Sequence, residues 1–416
     1  MTASGTIYLD NHSTTRLDPR VLDAMLPWLT DHYGNAGSTT HELGLEARAA
    51  VERARETFAA AIGGESREIV FTSGATESAN LAILGAASRA AAAGGRGTGR
   101  GTGRGHIVTL ASEHHAVLDP IEHLERSGVA VTRLPVAPQR DGGGAAVGLV
   151  PGSVPPAAVA AALEPDTFLV SVLLANNEIG VVQDVPAIAA VVHDAGGLLH
   201  LDCAQAVGRL PIDMDALGAD LASFSAHKFH GPKGAGALYV RRRGRAVRLD
   251  PLVFGGGQER GLRSGTLAVP TIVGLAEAAR LADEALAEEP ARLRVLRDRL
   301  WQALERSVPD VAVNGPPLDA VDAAGRPRRL VNNLNVRIPG VDGQTLLATL
   351  SAAGLAVSSG SACSSESPRP SHVLMALGLD EDEARSSLRF GLSRFTTEAE
   401  VEEAAARVAA GVARLR

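Results

Sequence analysis

Lysine is nearly absent from this chain. Its 416 residues hold 40 Lys and Arg together, and only Lys228 and Lys233 are lysine. Wherever a plain positive charge suffices, the chain uses arginine, which stays protonated and cannot act as an amine nucleophile; a lysine can lose its proton and form a Schiff base. The two lysines therefore need a reason, and both lie in one segment, His227 to Gly234. Cysteine is as scarce, with Cys203 and Cys363 alone. A lone pair in a chain of this length excludes a disulfide-stapled miniprotein and points to one reactive and one buried thiol before it points to a disulfide.

Long apolar runs are missing too. None approaches the roughly 18 residues of a membrane span, and Met1 to Asp10 has no basic region leading into an apolar stretch. A soluble cytoplasmic protein is the expectation, with no membrane partner. Excess positive charge is likewise absent: the net charge of −7 argues against a general polyanion binder, so direct nucleic-acid binding is not expected and small polar ligands are. Neither a Walker A motif nor a dinucleotide-type Gly fingerprint occurs, which demotes nucleotide cofactors.

What is present is an alternation of strand and helix signals. Asp18 to about Leu84 reads as helix, helix, short strand, helix, with apolar spacing from Val51 to Ile62 and Ser73-Gly74-Ala75-Thr76 opening the last helix. From Phe168 onward, strands at Leu169 to Leu174, Leu198 to Leu201, Leu221 to Ser225 and Gly236 to Val240 alternate with helical or loop segments, the pattern of a mostly parallel α/β sheet. Polar clusters follow these strands: Asn176-Asn177-Glu178, Asp202, and Ser225-Ala226-His227-Lys228. Ligands of open α/β sheets collect at such carboxyl ends, so the clusters should converge on one cleft. A long helical tract from Ile272 to Ser307 follows, and then a smaller C-terminal α+β unit with a strand near Asn333 to Val336 and a closing amphipathic helix from Glu398 to Leu415. Two Gly-rich stretches, Gly94 to Gly105 and Asp141 to Pro156, read as surface insertions.

An Asp and a Lys at the ends of two strands can face one ligand from two sides. Pyridoxal 5′-phosphate (PLP) asks for that pair, with a lysine for the Schiff base and a carboxylate against the ring nitrogen; the alternative is an ordinary salt bridge at a sheet edge, and the scarcity of lysine favours the cofactor. Ser73-Gly74-Ala75-Thr76 offers backbone amides at a helix N-terminus for a phosphate. Glu113-His114-His115 suggests a metal, but no third ligand is placed, so none is expected, and an imidazole stacked on the cofactor ring fits better.

The motifs Tyr8-Leu9-Asp10-Asn11, Phe71 to Ser78, Asn176 to Gly180, Ser223 to Lys228, Arg263 to Leu267 and Ser359-Gly360-Ser361-Ala362-Cys363 resemble, in order and over essentially the whole chain, those of the NifS/IscS-like cysteine desulfurases of the class V aminotransferase group. The resemblance implies a fold-type I PLP enzyme: α/β, with a large domain (18–280) built on a mostly parallel seven-stranded sheet and a small α+β domain (1–17 and 281–416) carrying the cysteine loop. It implies conversion of L-cysteine to L-alanine, a persulfide on Cys363, and delivery of sulfur to an acceptor protein, with selenocysteine lyase as the rival.

By the same resemblance Lys228 is the Schiff-base lysine, Asp202 the ring-nitrogen partner and His114 the stacking, proton-shuttling imidazole. Gln205 reaches the ring hydroxyl. Ala75, Thr76, Ser225 and His227 hold the phosphate, with Thr266 from the other subunit of a homodimer. Asn177, also at the cofactor, joins Arg389 in binding the substrate carboxylate. Cys203, next to Asp202, is then the buried thiol. Relatives that dock an iron–sulfur scaffold through their C-terminus carry a tail beyond the last helix, whereas this sequence stops at Arg416. Iron–sulfur assembly, tRNA thiolation and DNA sulfur modification all stay open as destinations of the sulfur. These readings predict that Lys228→Ala loses the Schiff-base absorbance band of the PLP-loaded protein while Lys233→Ala keeps it; equal bleaching of that band by both would refute the assignment of Lys228.

Overall fold

The computed structural model describes residues 5–94, 105–139, 149–359 and 370–416. Cys363 lies outside the described residues, as do most of the first Gly-rich insertion and the first half of the second. After a short strand β1 (Ile7–Tyr8) come helices α1 (Pro19–Leu29) and α2 (Glu42–Ala61). The Asp18 carboxylate caps α1 by accepting from the Arg20 amide, and Pro19 occupies a first-turn position where a missing N–H costs nothing. Helix α2 starts well before Val51, where the sequence pattern placed it, because its first turns bury the small residues Gly44, Ala47 and Ala50, which an apolar pattern underweights.

Strand β2 (Ile69–Thr72), helix α3 (Ala75–Gly94), β3 (His106–Leu110), α4 (His115–Arg126), β4 (Ala130–Leu134), α5 (Pro156–Ala162), β5 (Thr167–Leu173), α6 (Val185–Asp194), β6 (Leu198–Asp202), β7 (Leu221–Ser225) and β8 (Gly236–Val240) then build the main sheet and its covering helices. Its seven strands run in the order β2-β8-β7-β6-β5-β3-β4. Only β8 runs against its neighbours, so the expected mostly parallel sheet is what forms. Leu169, Val170, Leu199, Leu201, Leu221 and Ala222 are all fully buried. With both sheet faces covered, the strands read as continuous apolar runs rather than alternating ones.

The chain steps outward from β3 to β4 and returns to β5 on the other side of β3. That reversal is the topological switch point where open α/β sheets form their ligand crevice. It places the residues after β3, Glu113 and His114, opposite those after β5, Asn176 and Asn177.

The expected single helical tract after Ile272 is two helices, α7 (Val269–Ala285) and α8 (Glu289–Ser307). Pro290 sits in the first turn of α8, and a proline there cannot continue a preceding helix. Beyond them lie β9 (Ala312–Val313), β10 (Asn333–Arg337), α9 (Gly343–Ala352), β11 (Leu355–Ala356), α10 (His372–Ala376), α11 (Glu381–Arg385), β12 (Ser387–Gly391) and α12 (Glu398–Leu415). Strands β12, β10 and β9 form an antiparallel sheet, and β1 pairs in parallel with β11. A hydrophobic core separate from that of the main sheet unites Ile7 and Leu9 with Leu300, Leu350, Phe390 and Val408.

One buried ion pair fastens the loop that ends in Thr266 to the main sheet. Arg55 on α2 donates bidentately to the Glu259 carboxylate at 2.8 and 2.7 Å, and Glu259 also accepts from the Phe71 amide of β2 at 2.8 Å. Glu259 and Arg260 both adopt left-handed backbone, φ 48° and 57°, which non-glycine residues hold only when their surroundings dictate it. Glu259→Ala should lower unfolding stability by about 3–5 kcal/mol, because it strands a buried guanidinium. Glu52→Ala, which removes the exposed second partner of Arg55, should cost about 1 kcal/mol or less. Urea midpoints of the two variants check this, and equal shifts would contradict it.

Candidate active site

Lys228 follows β7 and Asp202 ends β6; the two strands are neighbours, with Asp202 paired in register to Ser223. The Lys228 ammonium donates to the backbone carbonyls of His12 at 2.7 Å and Ser13 at 2.8 Å. Asp202 is buried and accepts from the Ala204 amide at 2.9 Å. His114 caps α4, its Nδ1 accepting from the Ala116 amide at 3.0 Å. Burial pulls its pKa below the ordinary value, Asp202 counteracts and Lys228 adds to the fall. The three expected side chains therefore share one cleft, with His114 held neutral as an acceptor. His115 turns outward to Asp119, 3.0 Å away, and among the described residues no group of three His, Cys, Asp or Glu is placed to hold a metal ion.

The expected phosphate cradle falls in the turn where β2 meets α3. Ser78 is the first amide of α3 to find a carbonyl, that of Gly74 at 3.1 Å. The amides of Ala75 and Thr76 lie in the turn before it, where helical amides have no internal acceptor. Ser225 is buried beside this turn, and a Cβ built on Gly74 would lie 3.5 Å from its hydroxyl. Strand β8 approaches even closer, since a Cβ on Gly236 would stand 2.4 Å from the Gly74 Cα. His227 Nδ1 meets the Thr14 hydroxyl at 3.1 Å, and burial, then Lys228 and Lys233, lowers its pKa to about 4. Thr266 is exposed; its loop is tied to the cradle through Arg263, which bonds Glu77 at 2.8 Å, while Glu77 also accepts from the Ser73 amide at 2.7 Å.

Arg389, in the middle of β12, is fully buried. Its Nη1 donates to the Asn177 carbonyl at 2.9 Å and its Nη2 to Asp10 at 3.0 Å and Ser13 at 2.8 Å. The structure thus brings Asn177 and Arg389 together, with Asp10 as a counter-charge that motif reading did not supply. Gln205 is also buried, but its amide is engaged by His12 and Arg209. His12 and Arg209 were missed as site residues, and no periodicity or spacing marks them; Glu113 was noted only within the candidate metal motif. Glu113 accepts from the Leu173 amide at 2.6 Å in place of β3, which has ended; burial, with the Asp202 charge, raises its carboxyl well above the ordinary range. Cys203 is fully buried, and burial followed by Asp202 raises its thiol well above the ordinary value, as its core assignment requires.

The family model for class V aminotransferases matches residues 7–403. The chain belongs to that family. It is 49% identical over 398 residues to the cysteine desulfurase IscS of Anaeromyxobacter sp. (strain K), covering 96% of this chain and 90% of that one. Among solved structures, a NifS-like protein superposes with a TM-score of 0.84 at 36% identity, covering 99% of this chain and 100% of that one. A structure described as SspA in complex with cysteine has a TM-score of 0.76 at 33% identity, covering 94% and 100%. Enzymes of this kind depend on PLP, and the residues present fit it: unpartnered helix-terminal amides for a phosphate, a buried carboxylate on one strand and an amine on the next.

Buried neutral histidines set the acid limit of the fold. Burial lowers the pKa of His200 to about 3 and, with nearby cations, those of His227 and His230 to about 4, from an ordinary 6.5. Below about pH 6.5 the unfolded chain takes up protons that the folded chain refuses, so stability is full above that value and falls as pH drops toward 4. Glu113 opposes this as one group, since its raised pKa favours the fold at lower pH. The urea midpoint should therefore decline steadily from pH 7 to pH 4.5; a flat profile would contradict the burial of these rings as neutral species.

Proposed function

We propose that this chain is a PLP-dependent cysteine desulfurase that converts L-cysteine to L-alanine and leaves the sulfur as a persulfide on Cys363. The observation that carries the reading is the placement of Lys228, one of only two lysines, beside Asp202 and His114 at the carboxyl edge of the sheet. Bound there, PLP supplies an aldehyde for the amine of Lys228 or substrate and an electron-accepting ring that acidifies the substrate Cα–H. Ala75, Thr76, Ser225 and His227 would hold its phosphate, and Asp202 and Gln205 would meet its ring nitrogen and ring oxygen. Arg389 and Asn177 hold the substrate carboxylate, which suits a planar guanidinium. The Lys228 amine takes the Cα proton. The Cys363 thiolate attacks the substrate Sγ; the Cα-side fragment keeps the electron pair of the broken C–S bond, is reprotonated and leaves as alanine. His114, kept neutral by burial, accepts the thiol proton.

A homodimer belongs to the same proposal, with Thr266 reaching the partner's phosphate; the exposure of Thr266 supports it. So does the division into 18–280 and 1–17 plus 281–416, supported by the separate hydrophobic core around Phe390. Among the described residues no helix is long and apolar enough to cross a membrane, and a cytoplasmic location stays part of the proposal. The acceptor is a protein able to reach a persulfide, and selenocysteine lyase activity is the second reading, separated by comparing alanine release from the two amino acids.

Cys363→Ser should bind PLP and cysteine yet form no protein persulfide, with turnover collapsing at least ~100-fold, of the order expected for losing a covalent nucleophile. Cys203→Ser should keep persulfide formation, with some stability lost because a hydroxyl enters an apolar site. Persulfide labelling with peptide mapping decides; label on Cys203, or normal alanine release by Cys363→Ser, would remove the thiol-attack mechanism.

A further inference from the structure

Two arginines bracket a buried relay that ends at the cofactor pocket. Arginine only donates hydrogen bonds, so its partners' orientations follow without ambiguity. At one end Arg329 Nη2 donates to Asn333 Oδ1 at 2.9 Å. The Asn333 amide nitrogen must then be the atom that faces the Glu178 carbonyl at 2.9 Å and His12 Nε2 at 3.2 Å. His12 Nε2 is therefore an acceptor, and the proton sits on Nδ1, which faces Gln205 Oε1 at 3.0 Å. At the other end Arg209 donates to that same oxygen. Gln205 is thereby turned so that its nitrogen donates to the His12 carbonyl at 2.9 Å, and its second amide hydrogen has no acceptor among the described residues.

His12 is fully buried, and burial, then Arg209 and Arg389, and to a lesser extent Lys228, hold its pKa well below the ordinary value, with the Gln205 bond as the opposing influence. A protonated ring would also present an Nε2–H to the Asn333 amide hydrogens. We infer that His12 is a positioning residue: as a neutral imidazole protonated at Nδ1, it locks the Gln205 amide with its oxygen turned away from the cofactor and one N–H directed at the cofactor's ring oxygen. The inference rests on the reading that Gln205 meets that oxygen. An amide fixed the other way would bring oxygen against oxygen. An N–H there stabilises the anionic form of the ring oxygen, which the visible band of the bound cofactor reports.

The test uses PLP-loaded protein and two readouts other than turnover, the PLP dissociation constant and the pH midpoint of the visible band. His12→Ala should weaken PLP binding roughly 5- to 20-fold and move the midpoint, as loss of one oriented hydrogen bond predicts. His12→Asn, whose amide N–H stands near the position of Nδ1–H, should restore most of both. In a Gln205→Ala background, His12→Ala should change neither further. If His12→Ala shifts the cofactor readouts equally with and without Gln205, or if His12→Asn behaves as His12→Ala while the thermal midpoints of both match that of the unaltered protein, the positioning role is overturned. If Gln205→Ala alone leaves both readouts unchanged, the placement of Gln205 at the ring oxygen is what fails, and the role of His12 falls with it.

Discussion

The bond from the Lys228 ammonium to the carbonyls of His12 and Ser13 is the contact around which the site is arranged. It belongs to a short stretch, Asp10 to Thr15, that passes between the two sheets. On one side Asn11 bonds the Gly391 carbonyl through its backbone and, at 2.7 Å, its side chain. On the other, the Thr15 amide and hydroxyl both donate to the His227 carbonyl at 2.9 Å. The fit leaves no room at residue 391, where a Cβ would stand 2.8 Å from the His12 amide nitrogen, so glycine is required by close approach rather than by backbone angle. Movement of the C-terminal sheet relative to β7 would disturb the Lys228 contacts through this stretch.

Electrostatics favours the same architecture. Lys228, Arg209 and Arg389 gather where burial keeps His12, His114 and His227 neutral. Burial and the Asp202 charge shift Glu113 toward its protonated form. These cations suit a ligand set of a phosphate and a substrate carboxylate, since desolvated cations are tolerated only against compensating charge.

Much of the main sheet was legible in the sequence because its strands are buried on both faces. Leu221 to Ser225 and Gly236 to Val240 are bounded by turn and polar residues that leave little choice of ends. Lys228 and Asp202 stood out because lysine is rare and both follow apolar strands. Strand β12 was not legible: its central Arg389 interrupts the apolar pattern, and its burial is supported by acceptors on Asp10, Ser13 and Asn177, distant in sequence. His12 was hidden for the same reason. Its role is set by side-chain bonds to Gln205 and Asn333, and such pairings leave no periodic trace in a single sequence.

The proposed role of Arg389, holding the substrate carboxylate, also depends on the acceptors around it. Among the described residues, the acceptors on Asn177 and Ser13 are a carbonyl and a hydroxyl, both neutral, and Asp10 is the charged partner; its side chain keeps 18% of its exposure while that of Arg389 keeps 1%. A buried guanidinium without a counter-ion is strongly unfavourable, so Asp10 stabilises Arg389 before substrate arrives. An incoming carboxylate that displaces Asp10 conserves the charge balance and returns a partly exposed carboxylate to water, where its solvation offsets the broken pair. Replacement of Asn177 or Ser13 would instead add a second anion beside Asp10. The lowest-cost route to the bound substrate therefore exchanges one carboxylate for another on an arginine whose orientation the neutral acceptors keep fixed.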